Sequence, residues 1–117
     1  ADFEVWGNGE PLREFLYSED AGKIAMMALE NYDDEHPMII SPSTEHSISE
    51  VVDIIVDIMG YSGKVRYMEK ELKGQYRKPS DNSKFKLRYP DFKFTPLREG
   101  LEKSIKWFVK NYDRARK

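Results

Sequence analysis

The sequence predicts an α/β fold, of the small α+β-like kind, in one domain spanning residues 1–117. Three observations carry the prediction. Apolar residues recur at helical spacing in three separate stretches. Between these lie short runs with strand-like patterning, bounded by Gly, Pro and Asn. The hydrophobic fraction of 39%, with two Trp, seven Tyr and six Phe, supplies a core for a chain of ordinary domain size. About three longer helices and two or three short strands are expected.

Phe3 to Trp6 reads as an extended piece, and Gly7-Asn8-Gly9 followed by Pro11 as a turn. Phe15-Leu16-Tyr17 is a short β-like apolar run. Ser18 is the expected N-cap of a helix over about 19–32, with Glu19 and Asp20 suited to its positive end. Ala21, Ile24, Ala25, Ala28 and Tyr32 give that helix its apolar spacing. Met38-Ile39-Ile40, after Pro37, reads as a short buried strand. Ser47-x-x-Glu50 is a capping box. It opens a helix whose stripe is Ile48, Val51, Val52, Ile55, Val56 and Met59, with Gly60 at its end. Lys64 to Met68 alternates as a strand does. Residues 69–80 form a basic loop, and Asp81 opens a helical turn over 81–88. After the turn at Tyr89-Pro90-Asp91, Thr95 is expected to cap a long helix with Pro96 in its first position. Leu97, Leu101, Ile105, Phe108 and Tyr112 mark its apolar face.

Charge is unevenly spread. Residues 1–63 hold two basic side chains, Arg13 and Lys23, against 14 acidic ones, a net of −12; residues 64–117 hold 17 basic and 7 acidic, a net of +10. The split fits two mutually attracting faces or a basic anion site, with a solvated basic surface as the plainer reading. The basic half carries no DNA- or RNA-binding motif and the chain is net −2, so no nucleic-acid partner is expected. No apolar run approaches the roughly 20 residues of a membrane helix. The opening ADFEVWGNGE has neither the basic nor the apolar region of a signal peptide. Without Cys the chain offers no disulfide, thiolate zinc site or cysteine nucleophile, and a cytoplasmic location is expected. His36 and His46 both read as loop residues, so no metal site is expected.

Three motifs are present only in fragments. Gly7-x-Gly9 lacks the third glycine of a dinucleotide fingerprint, since Leu12 stands there. Gly60-x-x-Gly63-Lys64 has Ile58 where a phosphate loop needs glycine. Tyr89-x-x-x-Lys93 would need a helix to share a face, and Pro90 and Pro96 oppose one. No nucleophile–base set is visible.

Two segments carry a family resemblance over essentially the whole chain. Trp6-Gly7-Asn8-Gly9-Glu10-Pro11-Leu12-Arg13-Glu14-Phe15-Leu16-Tyr17-Ser18-Glu19-Asp20 resembles the segment that begins the substrate-binding portion of extended short-chain dehydrogenases acting on nucleotide sugars. Phe94-Thr95-Pro96-Leu97 through Gly100-Leu101 to Trp107-Phe108 and Asn111-Tyr112 resembles their terminal helix. Between them, Gly74-Gln75-Tyr76-Arg77-Lys78 with Asp81-Asn82-Ser83-Lys84 is similar to the basic loop of GDP-L-fucose synthases. The resemblance implies the C-terminal substrate-binding domain of an NADPH-dependent enzyme that epimerises and reduces GDP-4-keto-6-deoxy-D-mannose to GDP-L-fucose. It further implies that NADPH and the catalytic residues belong to an upstream Rossmann domain outside this chain, that this chain alone is inactive, and that the full-length enzyme is a homodimer. Another nucleotide-sugar epimerase or dehydratase, or a non-catalytic self-associating module, are the competing readings.

A sugar nucleotide needs cations for its diphosphate and a flat apolar surface beside them. The resemblance places Arg13 at the substrate, where its planar guanidinium suits a diphosphate or ribose, and matches Trp6 to a substrate contact. It places Arg77 and Lys78, with Lys73 and Lys70 nearby, in the loop over the nucleotide. Where the family pattern has Asp before the loop glycine, this chain has Lys73, which leaves the base preference open. No catalytic residue, cofactor site or metal site is expected within the chain. Tyr17 and Asp20 read as structural.

Overall fold

The computed structural model describes residues 2–68 and 75–116. Four strands, β1 (Phe3–Trp6), β2 (Leu12–Glu14), β3 (Glu45–Ser47) and β4 (Val65–Met68), are combined with four helices, α1 (Ser18–Asn31), α2 (Ile48–Met59), α3 (Ser83–Arg88) and α4 (Leu97–Lys110). The three longer helices and the α/β class agree with the sequence. The described residues hold four strands instead of two or three, in two separate pairs. β1 runs parallel to β4, with Phe3 opposite Val65 and Trp6 opposite Met68. Parallel strands require a long crossover, and here it contains α1, the second pair and α2. That pair is antiparallel: β2 lies against β3.

Two apolar runs do not become strands. Among the described residues Phe15-Leu16-Tyr17 follows β2 without a ladder and Met38-Ile39-Ile40 pairs with no strand, and Ile39 is exposed. His46, read as a loop residue, lies in β3.

The helix ends differ instructively from expectation. α2 is capped as predicted: the Glu50 N–H donates to Ser47 Oγ at 3.1 Å, and Gly60 ends the helix at φ 65°. The return half of the box is diverted, because the Glu50 carboxylate meets His46. Ser18 is not the cap of α1; it is the first helical residue, and Tyr17 holds the N-cap position without a side-chain capping bond, its hydroxyl donating to Glu19 Oε2 at 3.0 Å instead. Thr95 does not cap α4 either. Its N–H and its hydroxyl both donate to the Asp20 carboxylate, at 2.7 and 2.9 Å. Pro96 takes the N-cap position of α4 instead of the first helical one.

Asp20 is buried, so it ties the first turn of α1 to the entrance of α4. Removing it strands two donors in a partly buried place. Asp20→Ala is expected to lower unfolding free energy by about 2–4 kcal/mol in urea titration. A loss under about 1 kcal/mol would remove this tie from the account.

The C-terminal end of α1 has no basic residue of its own. α3 supplies the missing charge: Arg88 donates to the Asn31 carbonyl, and the Tyr89 hydroxyl donates to Asn31 Oδ1 at 2.6 Å. Cations near final carbonyls complement the helix dipole. Beneath this junction lies the best-formed part of the core. Phe85 is 1% exposed and packs against Tyr89, Phe92 and Phe94, with ring centroids 5.5–5.9 Å away. Ile24 is fully buried, and Val5 and Val52 nearly so.

The rest is open. The chain exposes 9033 Å², against about 6,600 Å² for a self-contained monomer of this mass. Its radius of gyration is 16.8 Å, against about 13 Å for a compact domain of this length. Met26 and Leu29 of α1 and Trp107 and Val109 of α4 are exposed.

Candidate functional site

The site begins with the turn between β1 and β2. Gly7 and Gly9 have φ of 89° and 78°, which glycine alone adopts without strain. They let the chain leave β1 and double back toward α2. There the Gly9 carbonyl accepts from the Ser49 N–H at 2.9 Å, and the Pro11 carbonyl from the Ile48 N–H at 3.0 Å. Loop 7–11 is thereby fixed to the start of α2, and β2 emerges in a defined place.

β2 has a neighbour on each side. β3 lies along one, with Arg13 opposite His46 and Glu14 opposite Glu45. On the other, the Leu12 N–H donates to the Tyr76 carbonyl at 2.7 Å, and Leu12 bridges Arg77 in parallel. The structure thus brings Arg13 together with the described part of the basic loop. Lys70, Lys73 and Gly74 lie outside the described residues.

The four predicted site residues behave differently. Arg13 Nη1 donates to the Leu12 carbonyl at 2.7 Å and reaches the Tyr76 carbonyl at 3.4 Å. The guanidinium has no acidic partner among the described residues. Arg77 is engaged: its Nε donates to Glu45 Oε2 at 3.0 Å and its Nη2 pairs with Oε1. These bonds hold the Glu45 carboxyl below its ordinary pKa and the Arg77 guanidinium above its own. Forked pairing of this kind gives geometric definition, so Arg77 holds the loop against β3. Lys78 is exposed beside it. Trp6 belongs to the β1–β4 pair, at the end from which loop 7–11 departs, and is 73% exposed.

Sequence reasoning missed Glu14. Its carboxylate accepts from Ser41 Oγ at 2.7 Å and from both the N–H and the hydroxyl of Ser80, at 3.0 and 2.7 Å. The buried Asn82 donates in turn to the Ser41 carbonyl at 2.6 Å. This network closes the basic loop's far end onto β2. No spacing in the sequence links residues 14, 41, 80 and 82.

Two shallow clefts flank Phe15. One, of about 250 Å³, is apolar and runs over Tyr17, Leu97, Gly100 and Leu101. The other, of about 290 Å³, lies between Phe15, Pro42, Thr44, His46, Phe94 and Pro96. The described residues do not fit a dinucleotide cradle. Gly7 and Gly9 lie between two strands, where such a cradle needs a strand followed by a helix. The first amides of α2, which could meet a phosphate, are taken by Gly9, Pro11 and Ser47. Among the described residues no acidic or histidine group could hold a metal ion, and no helix is long and apolar enough to cross a membrane.

The chain is similar to known proteins over most of its length. Residues 1–41 match the NAD dependent epimerase/dehydratase family. The chain is 38% identical to the GDP-L-fucose synthase of Dictyostelium discoideum over 99% of its own length and 37% of that protein's. It is 36% identical to the probable GDP-L-fucose synthase of Drosophila melanogaster, over 98% of this chain and 36% of that one. The NADP-bound crystal structure of a GDP-L-fucose synthetase from Naegleria fowleri superposes with a TM-score of 0.96 at 38% identity, covering 99% of this chain and 37% of that one. A UDP-glucose 4-epimerase from Thermotoga maritima shares the fold, with a TM-score of 0.82 at 21% identity over 95% of this chain and 36% of that one. The chain spans just over a third of the length of the relatives it matches. It is homologous, over nearly all of its residues, to the C-terminal portion of the GDP-L-fucose synthases.

Proposed function

We propose that this chain is the substrate-holding domain of a GDP-L-fucose synthase, the enzyme that epimerises and reduces GDP-4-keto-6-deoxy-D-mannose to GDP-L-fucose. The observation that carries the reading is Arg13, an arginine with no acidic partner among the described residues, set between β3 and the 76–78 segment. Its fork geometry suits a diphosphate. In this reading Lys78 adds charge at the loop, Arg77 fixes the loop through Glu45, and the exposed Trp6 offers its indole face to a ring. NADPH, whose hydride reduces the keto sugar, is held by residues outside this chain. The full-length enzyme works as a cytoplasmic homodimer on a GDP-sugar, with no nucleic-acid or membrane partner, and this domain alone turns nothing over.

Calorimetric titration of GDP into the chain, with UDP as control, tests the reading. Selective GDP binding is expected, even at millimolar affinity, with no NADPH oxidation. Arg13→Ala should weaken it about tenfold or more, the value of a lost charge-assisted hydrogen bond. Equal affinity for GDP and UDP would move the reading to another nucleotide-sugar enzyme. Indifference to Arg13→Ala would remove Arg13 from the site.

A further inference from the structure

We infer that His46, held by Glu50, is a ligand-facing specificity residue that hydrogen-bonds a sugar ring carried next to the phosphate at Arg13. The inference rests on the reading of Arg13 as the diphosphate residue.

Three observations lead to it. First, Arg13 and His46 are directly opposed across the β2–β3 pair. Opposed residues of an antiparallel pair leave the same face, with Cβ atoms about 5 Å apart. The two side chains therefore leave the same face of the pair, from which the Arg13 guanidinium reaches over to the Leu12 and Tyr76 carbonyls. Second, the imidazole is oriented. Its Nδ1 lies 2.9 Å from Glu50 Oε2, and that carboxylate is taken from the ordinary return bond of a capping box. An imidazole tied at one nitrogen has its tautomer and ring plane set, and Nε2 is presented on the opposite edge. Third, His46 lines the cleft of about 290 Å³, together with Thr44 and the apolar residues Phe15, Phe94, Pro42 and Pro96. That volume sits at the lower limit of small-molecule sites. It admits one ring and no whole nucleotide sugar. A polar edge over an aromatic and proline floor is the chemistry that recognises a polyhydroxylated ring, whose hydroxyls meet Nε2 and Thr44 while its C–H face meets Phe15.

Two rings of a GDP-sugar adjoin the diphosphate, the ribose and the hexose, and titration tells them apart. The chain, with His46→Ala, His46→Gln and Arg13→Ala, is titrated with pyrophosphate, GDP and GDP-mannose, and each variant's fold is checked by circular dichroism. His46→Ala should weaken ring-bearing ligands about three- to tenfold and leave pyrophosphate unchanged. His46→Gln, whose amide reaches near the Nε2 position, should restore most of that loss. Weakening of both GDP and GDP-mannose assigns the ribose; weakening of GDP-mannose alone assigns the hexose. No effect of His46→Ala where Arg13→Ala weakens all three ligands overturns this inference and leaves the Arg13 reading standing. Equal weakening of pyrophosphate overturns it as well, since a ring contact cannot act on a ligand with no ring. Indifference to Arg13→Ala overturns the underlying reading.

Discussion

Phe85→Ala should cost about 3–5 kcal/mol, the range for emptying a buried aromatic site. In a chain of this size that corresponds to a fall in Tm of roughly 12–20 °C. The expectation follows from how little of the chain is deeply buried. Phe85 touches Tyr89, Phe92 and Phe94 at once, and Phe92 and Phe94 meet edge to face at 5.1 Å. Edge-to-face pairs add to simple burial. The cluster also sets the segment that delivers Thr95 to Asp20, so its loss loosens the junction of α1 and α4. Leu87, two residues on in α3 and 84% exposed, is the control. Leu87→Ala should move Tm by only a degree or two. Similar shifts for the two variants in differential scanning calorimetry would mean that the aromatic cluster is not where the stability resides.

The sequence shows where the chain is helical far better than it shows what meets what. α2 is legible end to end because its signals are local: Ser47 three residues before Glu50, an unbroken apolar stripe, then Gly60. β1 and β4 are legible as extended segments, but their parallel pairing joins residues some sixty positions apart, and nothing local encodes it. β2 and β3 are three residues each, too short for a period of two to show. Thr95 illustrates a wrong inference with a physical cause. A threonine before Pro-Leu reads as a cap, yet Asp20, 75 residues earlier, is a charged acceptor and takes both of its donors. Of the candidate site, residue types were legible and roles were not. Arg13 and Arg77 look alike in the sequence. Glu45, which stood out by no motif, binds one and leaves the other without an acidic partner among the described residues.

Gly9→Ala is expected to be more damaging than Gly7→Ala, and the difference isolates one term. Both glycines have positive φ, so an alanine at either pays the left-handed penalty of about 1–2 kcal/mol. At Gly7 the added methyl meets nothing within 4 Å. At Gly9 it would stand 2.7 Å from Tyr67 Cε1 and 2.9 Å from Ser49 Cβ. The tyrosine ring can swing aside. Ser49 Cβ cannot, since it belongs to the first turn of α2, which the Gly9 and Pro11 carbonyls hold in place. Overpacking of this kind adds about 1–3 kcal/mol, so Gly9→Ala should lose about 2–5 kcal/mol and Gly7→Ala only the smaller share. Relief of the clash requires loop 7–11 to lift from α2, which moves β2 and Arg13 with it. Gly9→Ala should therefore weaken GDP binding as well as stability, whereas Gly7→Ala should leave affinity within about twofold, under 0.5 kcal/mol. Equal stability losses in paired urea titrations would show that the loop does not pack on α2 as closely as these distances require.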